Sequence, residues 1–261
     1  MTEAKTGWTA IILAGQRPGV DPLAAAFGET FKALVPVGGR PMVARVVETV
    51  LSMSSISKVV ILCQQPEIIR AVLPDHPKLS YVESQSGISQ SILSVAGSDT
   101  APWPLFVTTA DHPLLTHYMV SHFLEASAGV DVAVGMVERA TILAAYPDNK
   151  RTWIKLSGGA WSGANLFALS SETARKALTL WVNAEKDRKQ LFKLFWHFGP
   201  LIALRAVTRT ISLQDGIAAL GRRLGLSARA VPLPFAEAAI DVDKLSDHRL
   251  VEEIIAVREA R

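Results

Sequence analysis

"WTAIILAGQRPGVDPLAAAFGETFKALVPVGGRPM", residues 8–42, decides the architecture. It opens on a continuous apolar run, "TAIILAG" (9–15), that stops at Gly15. A strand apolar at every position needs cover on both faces, which is the setting of a parallel sheet inside an α/β protein. A long loop follows, carrying Arg17 and then Lys32. Beyond it "PMVARVVETVLSM" (41–53) places apolar residues at helical spacing after a proline start signal.

The same rhythm runs onward. Strands are expected over 58–64, 79–84, 104–111 and 130–138, with helices over 67–74, 89–98 and 117–128 between them. Alternation of this kind predicts a mainly parallel sheet with helices on both faces. After residue 150 the pattern changes. Residues 152–170 read as two strands joined by a glycine-rich turn, and 171–228 read as wholly helical. Strands are expected again at 228–234 and 238–243, and an amphipathic helix over 246–260 closes the chain. The reading is one domain over 1–261, with a core of 8–170 and 228–261 and a helical insertion at 171–228.

Composition narrows the classes of function. A chain of 261 residues with 49% hydrophobic and 20% charged residues can bury a sizeable core and does not read as disordered. A net charge of +3 suits an anionic small molecule and is too weak to imply a nucleic-acid partner. The lone cysteine, Cys63, lies in an apolar run and is expected to be a buried thiol. "MTEAKTGW" shows no basic start followed by an apolar run, and no apolar stretch approaches the ~18 residues of a membrane span. A cytoplasmic protein is the expectation.

In open α/β sheets ligands sit at the carboxyl ends of the strands. Three groups of polar residues follow expected strands: Gly15–Gly19 after the first, Ser84–Ser91 after the third, and Asp111 after the fourth. Their convergence predicts one crevice. The first loop has neither the spacing of a dinucleotide fingerprint nor that of a P-loop. Its backbone N–H groups, with Arg17 and Lys32, can still cradle a triphosphate.

"AIILAGQRPG…FKALVPVGGRPMVARVVETVL" resembles the opening of the NTP transferase superfamily, which includes molybdenum-cofactor guanylyltransferases, sugar-1-phosphate nucleotidyltransferases and methylerythritol-phosphate cytidylyltransferase. Leu13-Ala14-Gly15, Lys32 and the "GGRPM" of 38–42 carry the likeness. Gln16 stands where a small residue is usual, and the 14 residues between Arg17 and Lys32 exceed the usual spacing. "VTTADHPLL" (107–115) is similar to the strand that ends in a magnesium-binding Asp, here Asp111. "AIDVDKLSDHRLV" (239–251) is similar to the closing acidic segment, so Asp241 or Asp243 would supply the second carboxylate. "SQSGISQSILSVAG" (84–97) resembles the base-reading loop and helix start, and "GAWSGANLFALS" (159–170) the segment under the acceptor. The likeness covers roughly 8–170 and 228–255.

The resemblance implies a three-layer sandwich around a Rossmann-like sheet of GT-A type. It also implies a magnesium-dependent enzyme that moves a nucleoside monophosphate from an NTP, CTP or GTP, to a phosphorylated small-molecule acceptor, releasing pyrophosphate. Lys32, Asp111 and Asp241 would be catalytic, with Asp111, Asp241 and Asp243 as metal ligands. Leu13, Ala14, Gly15, Arg17, Lys32, Ser86, Gly87 and Ser91 would bind the nucleotide. Arg151, Lys155, Gly163 and Asn165 would bind the acceptor. A second class stays open: a nucleotide-binding regulatory or assembly protein without turnover. Guanylylation of the molybdenum cofactor itself is a third reading.

Residues His112, His117 and His122 lack the spacing that would put them together on a helix face as metal ligands. Residues 187–209, "DRKQLFKLFWHFGPLIALRAVTR", mix cations with Phe, Trp and Leu. Such a stretch can lie on a membrane surface, cover an active site, form a dimer contact or simply cap the core. A monomer or a homodimer is compatible with all of these.

Overall fold

Apolar strands that cannot tolerate water on either face dictate a central sheet covered twice, and the computed structural model, describing residues 7–186 and 200–260, has that layout. The strands are β1 (Trp8–Leu13), β2 (Pro36–Val37), β3 (Arg40–Pro41), β4 (Ile56–Cys63), β5 (Leu79–Glu83), β6 (Leu105–Thr109), β7 (Val132–Glu138), β8 (Ile154–Leu156), β9 (Gly159–Leu169) and β10 (Ala228–Pro232). The helices are α1 (Pro22–Ala26), α2 (Met42–Leu51), α3 (Pro66–Arg70), α4 (Ile88–Val95), α5 (His117–Ala126), α6 (Arg139–Ala145), α7 (Arg175–Lys186), α8 (Pro200–Val207), α9 (Leu213–Leu224) and α10 (Leu245–Glu259).

The main sheet runs β10-β7-β9-β6-β1-β4-β5, with β8 paired to β9. β1 lies parallel between β4 and β6, β5 is parallel to β4, and β10 is parallel to β7. β9 is antiparallel to both β6 and β7, so the sheet is mixed but mostly parallel. Successive β1 side chains serve opposite layers. Ala10 and Ile12 join Val43, Val46, Val47, Phe106 and Phe123 on one face, while Ile11 joins Ile92, Val107 and Leu178 on the other. On α2, buried Val43, Val46, Val47 and Val50 recur at helical spacing and seal the first face. Cys63 is buried as expected, and burial pushes its thiol up to about 11.

The registers set the site. Leu13 stands opposite Leu62 on β4 and Thr109 on β6, and Cys63 opposite Glu83 on β5. Gly15, Gln64, Ser84 and Asp111 therefore all emerge at one edge, the carboxyl end of the parallel strands.

Two expectations are corrected. Residues 238–243 do not form a strand: a 3-10 turn over Ala236–Ala239 is followed by extended chain outside the ladders. Its alternating apolar side chains are satisfied by burial, with Ile240 and Val242 packing against Leu23, Leu114 and Val251. Nor is 171–228 wholly helical. A 3-10 turn covers Glu172–Ala174, and beyond α8 the chain leaves helix and bridges Ser157 through Ser212 before α9. That same Ser212 hydroxyl caps α9 by accepting from Asp215 N, and Gly225, at φ +65°, ends the helix in the left-handed conformation. With Ala174 and Leu178 buried beside Leu226, this segment helps to cover the second sheet face. Residues 187–199 of the proposed amphipathic stretch lie outside the described residues, and α8 carries part of the rest. Among the described residues no helix is long and apolar enough to cross a membrane.

Candidate active site at the carboxyl edge of the sheet

The long first loop does not wander. Asp21 caps α1 by accepting from Leu23 N at 2.9 Å and Ala24 N at 3.0 Å, and Pro22 supplies the fixed first-turn φ. Leu23 and Ala24 then bury against the C-terminal segment around Ile240 and Val242. This turns the loop back toward the sheet edge, where a 3-10 turn begins at Lys32.

Lys32 is the hub. Its ammonium lies 2.6 Å from Asp111 Oδ2 and 2.5 Å from Asp243 Oδ1. Two carboxylates that share one ammonium can be no farther apart than those two contacts laid end to end. The backbone enforces the meeting, because Val242 N donates to Asp111 O at 2.9 Å and so ties the two segments together. Burial alone would pull the Lys32 ammonium down. The charges and hydrogen bonds of Asp111 and Asp243 outweigh it and hold the group above the ordinary lysine range. Lys32 therefore stays charged. Asp111 Oδ1 is buried with no partner among the described residues. Behind it His112 is fully buried, reaching Glu237 O at 3.2 Å, and burial depresses its imidazole so that it sits there neutral.

Asp241 belongs to an adjoining cluster. Arg151 Nη2 donates to its Oδ1 at 2.7 Å and Asn165 Nδ2 to its Oδ2 at 3.1 Å. Burial would raise the Asp241 carboxyl, but the Arg151 guanidinium beside it holds it below the usual carboxylate range. Asn165 achieves its contact from a left-handed conformation, φ 53°, on β9 near the irregular β7 register. An Asn tolerates that conformation better than most residues. Arg151, Ser162, Asp241, Asp243 and Lys244 line a cleft of about 270 Å³ that also includes Lys150.

The expected site residues thus fall into groups. Lys32, Asp111 and Asp243 meet directly, and Arg151, Asn165 and Asp241 meet beside them. The three carboxylates expected to ligate metal do not gather into one set. Among the described residues there is no group of three or more His, Cys, Asp or Glu able to hold an ion. The physical reason is that Arg151 and Asn165 hold both Asp241 oxygens. Leu13 ends β1 at the expected edge with Ala14 and Gly15 just beyond it, whereas Arg17 is exposed in the loop. Ser86 is exposed, Gly87 starts α4, and buried Ser91 spends its hydroxyl on the loop itself, donating to Gly87 O at 2.8 Å and accepting from Gln85 N at 2.8 Å. Ser91 shapes the loop through these bonds. Lys155, on β8 opposite Ala160, and Gly163 are exposed and do not line the cleft. The three histidines are scattered: His117 bonds Ser52 and His122 packs edge-on against Phe235.

Sequence reasoning missed Ser162, which accepts from Arg151 Nε at 3.2 Å, and Gln64, which follows β4. Gln64's place as the first polar residue after a buried strand, one strand over from Gly15, was its available signal.

A family model described as "MobA-like NTP transferase domain" matches residues 10–193. Among curated proteins none matches. The fold is similar to a hypothetical transferase from Thermus thermophilus, with 28% identity, a TM-score of 0.76, and coverage of 93% of this chain and 100% of that one. It is also similar to 4-diphosphocytidyl-2C-methyl-D-erythritol synthase from Anaerococcus prevotii (11% identity, TM-score 0.58, 97% and 99% covered). A CMP:2-keto-3-deoxy-manno-octonic acid synthetase complexed with CTP is a further likeness (16% identity, TM-score 0.58, 97% and 100% covered). The last two bear on the fold alone.

Proposed function

The chain belongs to the MobA-like NTP transferase family and is a nucleotidyltransferase; from that premise we propose that it moves an NMP from CTP or GTP to a phosphorylated small molecule, with magnesium. The observation that carries this reading is the Lys32 ammonium held between Asp111 and Asp243 at the strand edge, with Asp111 Oδ1 buried and without a partner among the described residues.

The donor set fits magnesium. All its atoms are carboxylate oxygens, and the ion commonly takes only one or two carboxylates with phosphate and water completing its shell. Asp111 and Asp243 are the residues to hold it, with Asp241 adjacent. A bound magnesium ion would supply neutralisation of phosphate charge. Lys32, charged and anchored, stabilises the triphosphate and the charge that builds on departing pyrophosphate. The loop after Leu13-Ala14-Gly15 would offer backbone N–H groups to the phosphates, and Ser86, Gly87 and the first turn of α4 through Ser91 would read the base. Arg151, Lys150 and Lys244, which line the neighbouring cleft beside Asp241, Asp243 and Asp247, would be the groups that meet an anionic acceptor. An acceptor phosphate oxygen placed there attacks the α-phosphorus; the bond to the bridging oxygen breaks and pyrophosphate leaves. No covalent enzyme intermediate is required.

Pyrophosphate release should be measured with each of four NTPs against sugar, inositol, glycerol and lactate phosphates, with products identified by mass spectrometry. Release with CTP or GTP and one acceptor class is expected. Tight nucleotide binding with no turnover on any acceptor would contradict the enzymatic reading, and a guanylylated molybdenum cofactor would change only the acceptor.

A further inference from the structure

Gln16 interrupts the sequence where a small residue is usual, and its surroundings give it a task. Gln64 Oε1 accepts from Gln16 N at 3.1 Å while Gln64 Nε2 donates to Gln16 O at 2.7 Å. One side-chain amide thus pairs with both backbone groups of a single residue, as a neighbouring strand residue would. Gln16 repeats the device. Its Oε1 accepts from Lys32 N at 3.0 Å and its Nε2 donates to Thr30 O at 3.1 Å, bracketing Phe31. An amide offers one acceptor and a donor pair at fixed spacing, so it can replace a peptide unit. Reversing either amide would set donor on donor and acceptor on acceptor at both of its contacts. The absence of a side chain at Gly15 belongs to the same arrangement, since a Cβ there would come within 3.1 Å of Gln64 Nε2.

These contacts form a series: the end of β4, then Gln64, then Gln16, then the backbone of Lys32, then Asp111 and Asp243. A loop with 14 residues between Arg17 and Lys32 would otherwise leave Lys32 to be placed at the far end of a long closure. We infer that Gln16 and Gln64 form a two-amide clasp whose role is to position Lys32 against the nucleotide's phosphates. Both are positioning residues, acting through Lys32. The inference rests on the proposed role of Lys32 and goes beyond it.

The test is a double-mutant cycle read as the affinity for CTP and for GTP by calorimetry, so that it is measurable whatever the turnover. Gln16→Ala should weaken the binding nucleotide about tenfold, the order expected of a displaced phosphate-binding group. In a Lys32→Ala background the same change should cost less than roughly twofold, because Gln16 acts through the residue already removed. Equal losses in both backgrounds would overturn the clasp as a positioning device. Unchanged affinity in Gln16→Ala, beside a clear loss in Lys32→Ala, would overturn the clasp and leave the proposed function standing. No loss in Lys32→Ala would overturn both. Should Gln16→Ala fail to fold, Gln64→Glu serves in its place. It keeps the acceptor for Gln16 N but turns a carboxylate toward Gln16 O, and the same non-additive pattern with Lys32 is expected.

Discussion

Two hollows of nearly equal size sit in different parts of this molecule. One, of about 270 Å³, opens at the carboxyl edge of the sheet and is lined by Arg151, Asp241, Asp243, Lys244 and Lys150. The other, of about 280 Å³, lies between the second sheet face and α4, α7 and α9, lined by Ile92, Val107, Phe167, Leu178, Trp181 and Leu224 among other apolar residues. Volume does not separate them; the supply of polar groups does. The apolar hollow has nothing to orient a phosphate, and Phe167 and Trp181 meet across it edge to face at 5.1 Å. The polar cleft is lined by six charged side chains from two segments: Lys150 and Arg151 from one, and Asp241, Asp243, Lys244 and Asp247 from the returning C-terminal chain. The difference teaches that the chemistry here is made by topology, through strand ends that share a register, and that the apolar layer's part is to hold those ends in place.

Removing the hub should break the polar region most. Lys32→Ala is expected to lower kcat/KM for the NTP by roughly two to three orders of magnitude, the range seen when a preorganised electrostatic group is lost, while its melting temperature stays within a few degrees of the parent. Steady-state kinetics beside a thermal melt would check both. Arg151→Gln should act on the acceptor side, raising its KM about tenfold with a much smaller change in the KM for NTP; equal changes in the two constants would merge the regions this account separates.

The apolar hollow should answer in stability instead. Leu178 is almost fully buried, and Leu178→Ala is expected to cost about 2–4 kcal/mol, lowering the melting temperature by several degrees. Its kcat/KM should stay within roughly twofold of the parent once the protein is folded. A large kinetic loss with unchanged melting would make that face part of the site.

The smallest effect is on pH. The Asp241 carboxyl is held low in the folded protein, so its contribution is present above the ordinary carboxylate value and is lost as pH falls through the folded value. In Arg151→Gln the guanidinium's pull is gone and burial weighs more against the Asn165 and backbone hydrogen bonds that remain, so the carboxyl rises. The stability gap between parent and variant should therefore be widest near neutral pH and close on acidification below the ordinary carboxylate range. Melting curves from pH 7 to pH 3 would show it, and a constant gap would contradict it.

Much of this was legible in the chain. The apolar runs of β1, β4 and β6 announced a sheet covered on both faces, and the residues just past their ends, Gly15 and Asp111, marked the crevice. Lys32 and the acidic pair Asp241 and Asp243 were readable from their resemblance to a known pattern. What could not be read was how the carboxylates divide. Asp243 goes to Lys32 and Asp241 to Arg151, on a segment, 238–243, that lies outside the sheet, and apolar alternation alone does not distinguish that from a strand. The double use of side-chain amides at Gln16 and Gln64 was hidden too. Each is a partnership between residues 48 positions apart or closed around a turn, and single-residue patterns carry no trace of it.

The most direct test of the central claim is magnesium-dependent pyrophosphate release by the parent and by Asp111→Asn, which keeps the side chain's size but removes its charge. Release by the parent should require the ion, and the variant should lose at least about a hundredfold. Undiminished, ion-dependent release by Asp111→Asn would contradict the claim.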